Sequence, residues 1–571
     1  MTADSQSSEN MHSVDVIVVG SGAGGMTAAI TAADQGFDTL LIEASDQFGG
    51  TSAMSGGVVW VPANHLMPKA GISDSYEEGM AYLKATTKGE VPEEKLHAYL
   101  TYAPAMLRYL EQNTHTAFNA AVEYSDYYPD LPGYKPGARS LDSKPFSRRK
   151  LKENDEDIRL PSTRPLFNRI SMTAIEAHEM LKSERFRNFF ILWRLLIHFL
   201  DIPMRIKGKR DNRMVLGQAL AGSLRASMMD RNIPLWLNTR LQELLLEDGR
   251  VCGIRASKNG QPVTITARKG VILASGGFGR NTEMRQKYQK HPISGDWSSA
   301  NPHDLGDSIS AGEKIGAQLE FMHCAWWSPS FLLPKGEPES LIIGKSMPGC
   351  IFVNKAGERF TNEAAPYEDV VKGQYAANDS SPAIPCYMIM DGRYREEYAL
   401  ANGRIYPAKI MPDEKMPDEY KKPGFIFKAD TLDELAQQMD VDAAGLATTI
   451  KRFNGFAESG VDEDFNRGGN AQDCYYSDAT TGYPNPTLAP IQRPPFYGML
   501  IWPGDLGTKG GLKTDHRGRV LDTGDNIIEG LYATGNTTGS VMGNSYPGAG
   551  STLGPSMTFG YIAALDLAGK L

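Results

Sequence analysis

Apolar positions near the start of the chain follow two different periods. Val14-Asp-Val-Ile-Val-Val19 is a β-branched run of the kind that fills a strand buried on both faces, and it passes directly into Gly20-Ser-Gly22-Ala-Gly-Gly25. The alanine-rich stretch AAITAADQG that follows reads as a helix, and Thr39-Leu-Leu-Ile-Glu43 returns to the strand pattern and ends in an acid. Strand, glycine turn, helix and second strand make the unit that cradles a dinucleotide. One glycine makes the tight turn, one lets the backbone approach the pyrophosphate, and one allows close packing of helix on strand. The phosphates sit at the positive end of the helix, and an acid about 20 residues beyond the glycines accepts hydrogen bonds from ribose. Gly20, Gly22, Ala23, Gly24, Gly25 and Glu43 are therefore cofactor candidates.

A different pattern occurs at residues 183–212. On a helix, Phe186, Phe189, Phe190, Trp193, Leu196, Ile197 and Leu200 fall on one stripe, and basic residues flank both ends. Such a helix either lies in a bilayer surface through residues 186–206, with Arg and Lys meeting lipid phosphates, or packs on the protein or a second subunit. The apolar run from Phe189 to Leu200 is interrupted by Arg194 and His198 and is shorter than the ~20 residues a spanning helix needs.

At 571 residues the chain exceeds what one hydrophobic core supports, so at least two domains sharing a cleft are expected. The net charge of −9 is spread without single-sign blocks, which argues against a nucleic-acid partner. Five cysteines stand far apart with no C-x-x-C pair, so neither a metal site nor a disulfide framework is encoded and a reducing cytoplasm fits best. The opening MTADSQSSENMHS lacks the features of a secretory signal and reads as a short disordered tail.

Further glycine-rich turns occur at Gly49-Gly50-Thr51-Ser52, at Ser55-Gly56-Gly57, and at the ends of two strand-like runs, Val271-Ile-Leu-Ala-Ser-Gly276-Gly277 and Gly530-Leu-Tyr-Ala-Thr-Gly535-Asn536. This arrangement resembles the flavoprotein family of succinate dehydrogenase and fumarate reductase. The resemblance implies FAD as cofactor, with Ser551 and Leu553 joining the glycine-turn residues in holding it. It also implies an α/β fold: a discontinuous Rossmann-type FAD-binding domain, residues 1–299 and 488–571, with an α+β catalytic domain inserted at 300–487. Some members of that family attach the flavin through a histidine near the glycine pair. No histidine lies between His12 and His65, so FAD is expected to be non-covalent.

In fumarate reductases an arginine that handles the proton follows an Asn-Glu pair; here the matching segment runs from Arg359 through Asn362-Glu363 to Tyr367, with tyrosine in place of arginine. A dianion site needs cations, so succinate and fumarate are disfavoured. Three segments instead resemble the 3-ketosteroid Δ1-dehydrogenases: Ser125-Asp126-Tyr127-Tyr128, Ala365-Pro366-Tyr367 and Gly543-Asn-Ser-Tyr546-Pro547-Gly548-Ala549-Gly550. The resemblance implies 1,2-desaturation of a 3-ketosteroid, with the C2 proton going to a base and the C1 hydride to flavin N5. Tyr367 is then the base, helped by a hydrogen bond from Tyr127, with Tyr128 as the substitute. The Tyr546 hydroxyl and the Gly550 N–H would hold the C3 oxygen. A phenol of reference pKa about 10 needs an environment that lowers it, or a relay role.

Trp326, Trp327, Met322 and Phe352 suit either a steroid pocket or the core, and Tyr475 and Tyr476 read as surface or packing residues. The insertion favours cholest-4-en-3-one-like sterols and peripheral attachment to the inner face of the cell membrane. A quinone, an electron-transfer protein or a dye would reoxidise the flavin. A 3-ketosteroid Δ4-(5α)-dehydrogenase, a related flavin-dependent reductase and a non-catalytic FAD-binding protein are the alternatives.

Overall fold

The computed structural model describes residues 11–162, 165–167, 169–182, 184–208 and 210–571. The first ten residues of the expected tail and the side chain of Phe186 lie outside the described residues. The remainder of that tail is strand: Met11–Ser13 pair with Thr264–Thr266, so the first strand runs Met11–Val19 and starts earlier than its apolar run. Backbone pairing rather than burial holds these residues, since Met11 is 66% exposed.

Met11–Val19 is central to an eight-stranded sheet ordered Arg519–Leu521, Ile527–Ala533, Gln261–Leu273, Met11–Val19, Thr39–Ile42, Leu235–Trp236. The strands from Ile527–Ala533 to Leu235–Trp236 are parallel, and Thr239–Glu247 and Arg250–Lys258 extend the sheet antiparallel from Gln261–Leu273. The C-terminal part of the chain thus returns to the strand that carries the first glycine turn's neighbour.

The helix Ala23–Asp34 is buried over almost its whole circumference, as a helix of mostly small and apolar residues can be, and its buried Thr31 hydroxyl donates to the Thr27 carbonyl at 2.8 Å. It crosses the C-terminal helix Leu553–Leu567 at backbone distance: a Cβ on Gly24 would lie 2.3 Å from Ser556 Oγ, and one on Gly560 would lie 2.5 Å from the Gly24 carbonyl oxygen.

A second sheet of six antiparallel strands is ordered Pro338–Ser340, Ala325–Leu332, Phe496–Thr508, Cys386–Met390, Cys350–Val353, with Phe427–Ala429 also on Phe496–Thr508. Strand pairing carries this layer through Thr508, beyond the boundary expected at residue 487. The strands that Phe496–Thr508 pairs with, Ala325–Leu332, Cys386–Met390 and Phe427–Ala429, all belong to this second sheet.

The 183–212 segment contains the helices Glu184–Leu200 and Ile202–Lys207. Its apolar stripe is rotated from the expected one. Phe190 is buried against Ile170 and Met180, and the outward face carries Phe189, Leu192, Trp193, Leu196, Phe199 and Leu200. Arg194 pairs with Asp211 and helps set which face turns inward. Among the described residues no helix is long and apolar enough to cross a membrane.

Candidate active site

The glycine turn at the end of the first strand is shaped by contacts that leave no room for side chains. Gly20 has φ +105°, and a Cβ there would lie 2.4 Å from the Ala274 carbonyl oxygen; at Gly25 it would lie 2.0 Å from the Gly20 carbonyl oxygen. Gly22 differs, because its Cβ would meet only Ser52 Oγ, at 3.4 Å, and the position opens onto a cavity. Glu43 ends the second strand and accepts from the Ser21 N–H at 3.0 Å, the Ser21 hydroxyl at 2.6 Å and the Ser45 N–H at 3.0 Å. About one of the roughly four acceptor positions of its carboxylate is left for a ligand.

These residues line a cavity of about 1330 Å³, more than the ~300–1,000 Å³ of a site for one small ligand. Ala23, Gly25, Gly49, Gly277 and Ser551 stand behind its wall, and the other residues assigned to the cofactor line it. The Ala23 N–H donates to Ser52 Oγ at 3.0 Å, and the Ser551 hydroxyl donates to the Gly548 carbonyl at 2.7 Å, so each fastens the cradle instead of facing it.

Asp304 was not legible as a site residue. It is buried in the same wall, and its Oδ2 has no hydrogen-bond partner among the described residues. Burial and the nearby Asp505 push its carboxyl up to about 7. A buried orphan acceptor beside a glycine cradle fits a ligand that brings hydroxyl donors, as the ribityl and ribose groups of FAD do.

Beyond the cradle the cavity ends at a cluster of three tyrosines from distant parts of the chain, two of which line it. Tyr367 opens the helix Tyr367–Asn378, and the loop before it is fixed by buried Lys345, which donates to the Glu363 carbonyl at 2.8 Å and the Ala365 carbonyl at 2.7 Å. The Tyr127 hydroxyl donates to the Tyr367 hydroxyl oxygen at 2.9 Å, whereas the Tyr128 hydroxyl reaches only Asp369, at 3.5 Å. The Tyr367 and Tyr546 ring centroids are 5.1 Å apart and edge-on. Tyr367 and Tyr546 face the cavity and Tyr127 stands behind them.

The Tyr546–Gly550 loop is held by the Tyr127 N–H and the Tyr82 hydroxyl, which donate to the Pro547 carbonyl at 2.9 and 2.7 Å. Gly550 has φ +96°, and a Cβ there would lie 2.6 Å from the Trp60 nitrogen. Among the described residues the Gly550 N–H meets no protein acceptor.

The electrostatics bear on the two routes open to a phenol base. Nothing brings Tyr367 below the ordinary phenol range: burial raises it well above, the neighbouring phenols add to this, and the hydrogen bond from Tyr127 is the contribution that opposes it. Burial raises Tyr546 as well, opposed by hydrogen bonds with Tyr367 and Thr552.

Of the other apolar candidates, Trp327, Met322 and Phe352 pack in separate core clusters, while Trp326 lies edge-on to Tyr546 at 4.8 Å and donates to Asn536 Oδ1 at 2.9 Å. Tyr476 lines the cavity, and Tyr475 stacks between Tyr124 and His178, 4.0 Å from each. His178 also meets Glu123 at 2.9 Å, and with Glu179 these form the one three-residue grouping of metal-ligating type among the described residues.

A dinucleotide cradle opening onto a buried cluster of phenols defines an FAD-dependent oxidoreductase, and the FAD binding domain family matches residues 15–553. The 3-oxosteroid 1-dehydrogenase of Mycolicibacterium smegmatis is 42% identical over 97% of each chain, and that of Mycobacterium tuberculosis is 39% identical over 97% of this chain and 98% of its own. The crystal structure of 3-ketosteroid delta1-dehydrogenase from Sterolibacterium denitrificans in complex with 1,4-androstadiene-3,17-dione superimposes with a TM-score of 0.94. It is 44% identical and is matched over 98% of this chain and 100% of that one. The chain belongs to the 3-oxosteroid 1-dehydrogenase family.

Proposed function

We propose that this protein introduces the C1–C2 double bond into a 3-ketosteroid in an FAD-dependent reaction. The observation that carries the reading is the 2.9 Å hydrogen bond from Tyr127 to Tyr367 beside Tyr546, on a cavity continuous with the glycine cradle. Tyr546 and the Gly550 N–H hold the C3 oxygen as it gains negative charge, which neutral donors in a dry site do well. Tyr367 takes the C2 proton, and Tyr127 donates to the oxygen on which charge builds. FAD, when bound, accepts the hydride that leaves C1.

The test is anaerobic mixing of the protein with androst-4-ene-3,17-dione or cholest-4-en-3-one, following the flavin absorbance and the product mass. Bleaching with a 1,4-dien-3-one product supports the reading. Conversion of a 5α-3-ketosteroid to the 4-ene instead identifies the Δ4 alternative, and an unbleached flavin with every steroid overturns both.

We further infer that the substrate carries a long aliphatic side chain and reaches the cavity from a membrane surface. Beyond the tyrosines the cavity wall includes Leu166, Met172, Met180, Ile191, Tyr406 and Ile410. Ile191 belongs to the helix whose outer face exposes Phe189, Leu192, Trp193 and Leu196, with Arg185, Lys207 and Arg210 exposed at its flanks. This placement supports peripheral attachment to a membrane surface. Flotation with anionic liposomes tests it. Leu192→Ser, Trp193→Ser and Leu196→Ser together should abolish flotation without changing the sedimenting species, whereas loss of a dimer with unchanged flotation assigns the face to subunit contact.

A further inference from the structure

The scheme above leaves unused a pair of charges buried beside the tyrosines. The Lys509 ammonium donates to Glu368 Oε2 at 2.6 Å and to the Ser545 carbonyl at 2.8 Å, and both side chains are fully buried. Glu368 directly follows Tyr367, and Ser545 directly precedes Tyr546. One ammonium thus ties the neighbour of the base to the neighbour of the oxygen-holding phenol. Lys372, one turn along the same helix, approaches Glu368 Oε1 at 2.7 Å and donates to the Asn544 carbonyl at 3.1 Å. The Lys509 nitrogen also lies 4.6 Å from the ring centroid of Trp326 and 5.9 Å from that of Tyr546.

A buried ion pair adds little stability over a packed apolar pair of the same volume, because desolvation offsets the attraction. What this pair does supply is geometry and balance. Glu368 alone would set a negative charge close to Tyr546, where it opposes a second one forming on the substrate oxygen. Lys509 offsets that charge and fixes the backbone that aims the Tyr546 hydroxyl.

We propose that Lys509, held by Glu368, is a positioning residue for Tyr546: it sets the Ser545–Tyr546 backbone and keeps a cation beneath the ring whose hydroxyl donates to the C3 oxygen as charge develops there. The proposal rests on the assignment of Tyr546 to the C3 oxygen, and the experiment separates the two. Wild-type protein must first bleach with a 3-ketosteroid; if it does not, the functional assignment fails before Lys509 is reached.

Given bleaching, Lys509→Met should lower kcat on the order of 10- to 100-fold, with KM within about threefold and FAD content unchanged. The phenolic A-ring steroid oestrone, whose ionised oxygen mimics the charge on the C3 oxygen, reads the effect without turnover. Its affinity should rise with pH in wild type as the bound phenol ionises, and that rise should be lost in Lys509→Met. The double variant Glu368→Gln, Lys509→Gln keeps a donor for Ser545 and removes both charges of the buried pair, leaving Lys372, whose side chain is 39% exposed, with water and the Asn544 carbonyl. It should retain FAD and recover part of kcat but not the pH-dependent affinity. A Lys509→Met protein with wild-type kcat and oestrone profile overturns the proposal, as does a double variant that restores both.

Discussion

Tyr546→Phe removes one hydroxyl from a buried site and leaves the ring against Trp326 and Tyr367, at centroid distances of 4.8 and 5.1 Å. The hydroxyl interacts with Tyr367 and Thr552 in the free protein, and a neutral hydrogen bond contributes a net ~0.5–1.5 kcal/mol to stability. In a protein of this size that moves Tm by no more than about 2–4 °C. The effect on rate is larger, because removing one donor from a site of developing negative charge costs about 10²–10³ in kcat, or ~2.7–4 kcal/mol. The Gly550 N–H still serves the same oxygen, so turnover falls without vanishing. The measurement is the anaerobic rate of flavin bleaching at saturating steroid, with KM and Tm determined on the same preparation. A kcat within tenfold of wild type, or a raised KM with kcat preserved, would show that Tyr546 binds the steroid without stabilising the transition state, and the argument would be refuted.

Three further outcomes follow from the geometry. With Tyr367 raised above the usual phenol range by burial, its proton-accepting form grows as pH rises, so log kcat should climb through pH 8–10; a plateau from pH 6 upward would exclude a phenol base. Asp304 is raised from 3.8 to about 7 in the folded chain, so the stability tied to its protonated form is full below pH ~4 and lost as pH rises through 7, at a cost on the order of 4 kcal/mol. Flavin-free Asp304→Asn should therefore melt above flavin-free wild type at pH 8 and close to it at pH 4 by calorimetry. Gly25→Ala drives a Cβ to within 2.0 Å of the Gly20 carbonyl oxygen and should destabilise the fold by about 1–3 kcal/mol or more, while Gly22→Ala, whose nearest neighbour is 3.4 Å away, should fold normally and bind FAD more weakly by fluorescence titration.

The cradle was legible because its constraints are local. A turn that excludes every Cβ at Gly20 and Gly25 demands glycine at fixed spacing, and the acid after the second strand sits at a fixed distance from it. The tyrosines were legible only through resemblance. Tyr127 and Tyr367 are 240 positions apart, and no period or spacing among 24 tyrosines shows that their hydroxyls meet. The face of the helix Glu184–Leu200 was misread for a related reason. From Phe189 to Leu200 all but Arg194 and His198 are apolar, so the pattern fits several rotations, and the choice was made by Phe190 against Ile170 and Met180.

Asp304, Glu368 and Lys509 were invisible because charged residues read as surface, and only burial turns them into parts of a site. Their placement also bears on the role proposed for a phenol as base. Of the two routes open to a phenol base, a lowered pKa or a relay role, the first is not met, since burial dominates and raises Tyr367. Neutral groups, Tyr367, Tyr546 and the Gly550 N–H with Tyr127 behind them, are what the cavity presents at the proposed site of developing charge, and Lys509 and Glu368 stand further from it. A substrate that is neutral when it arrives and anionic only as its proton leaves is served by that order. Fixed cations at the oxygen would suit a substrate already charged, as in a dicarboxylate site, whereas buried neutral donors with a balanced ion pair behind them favour the charged transition state over the neutral ground state.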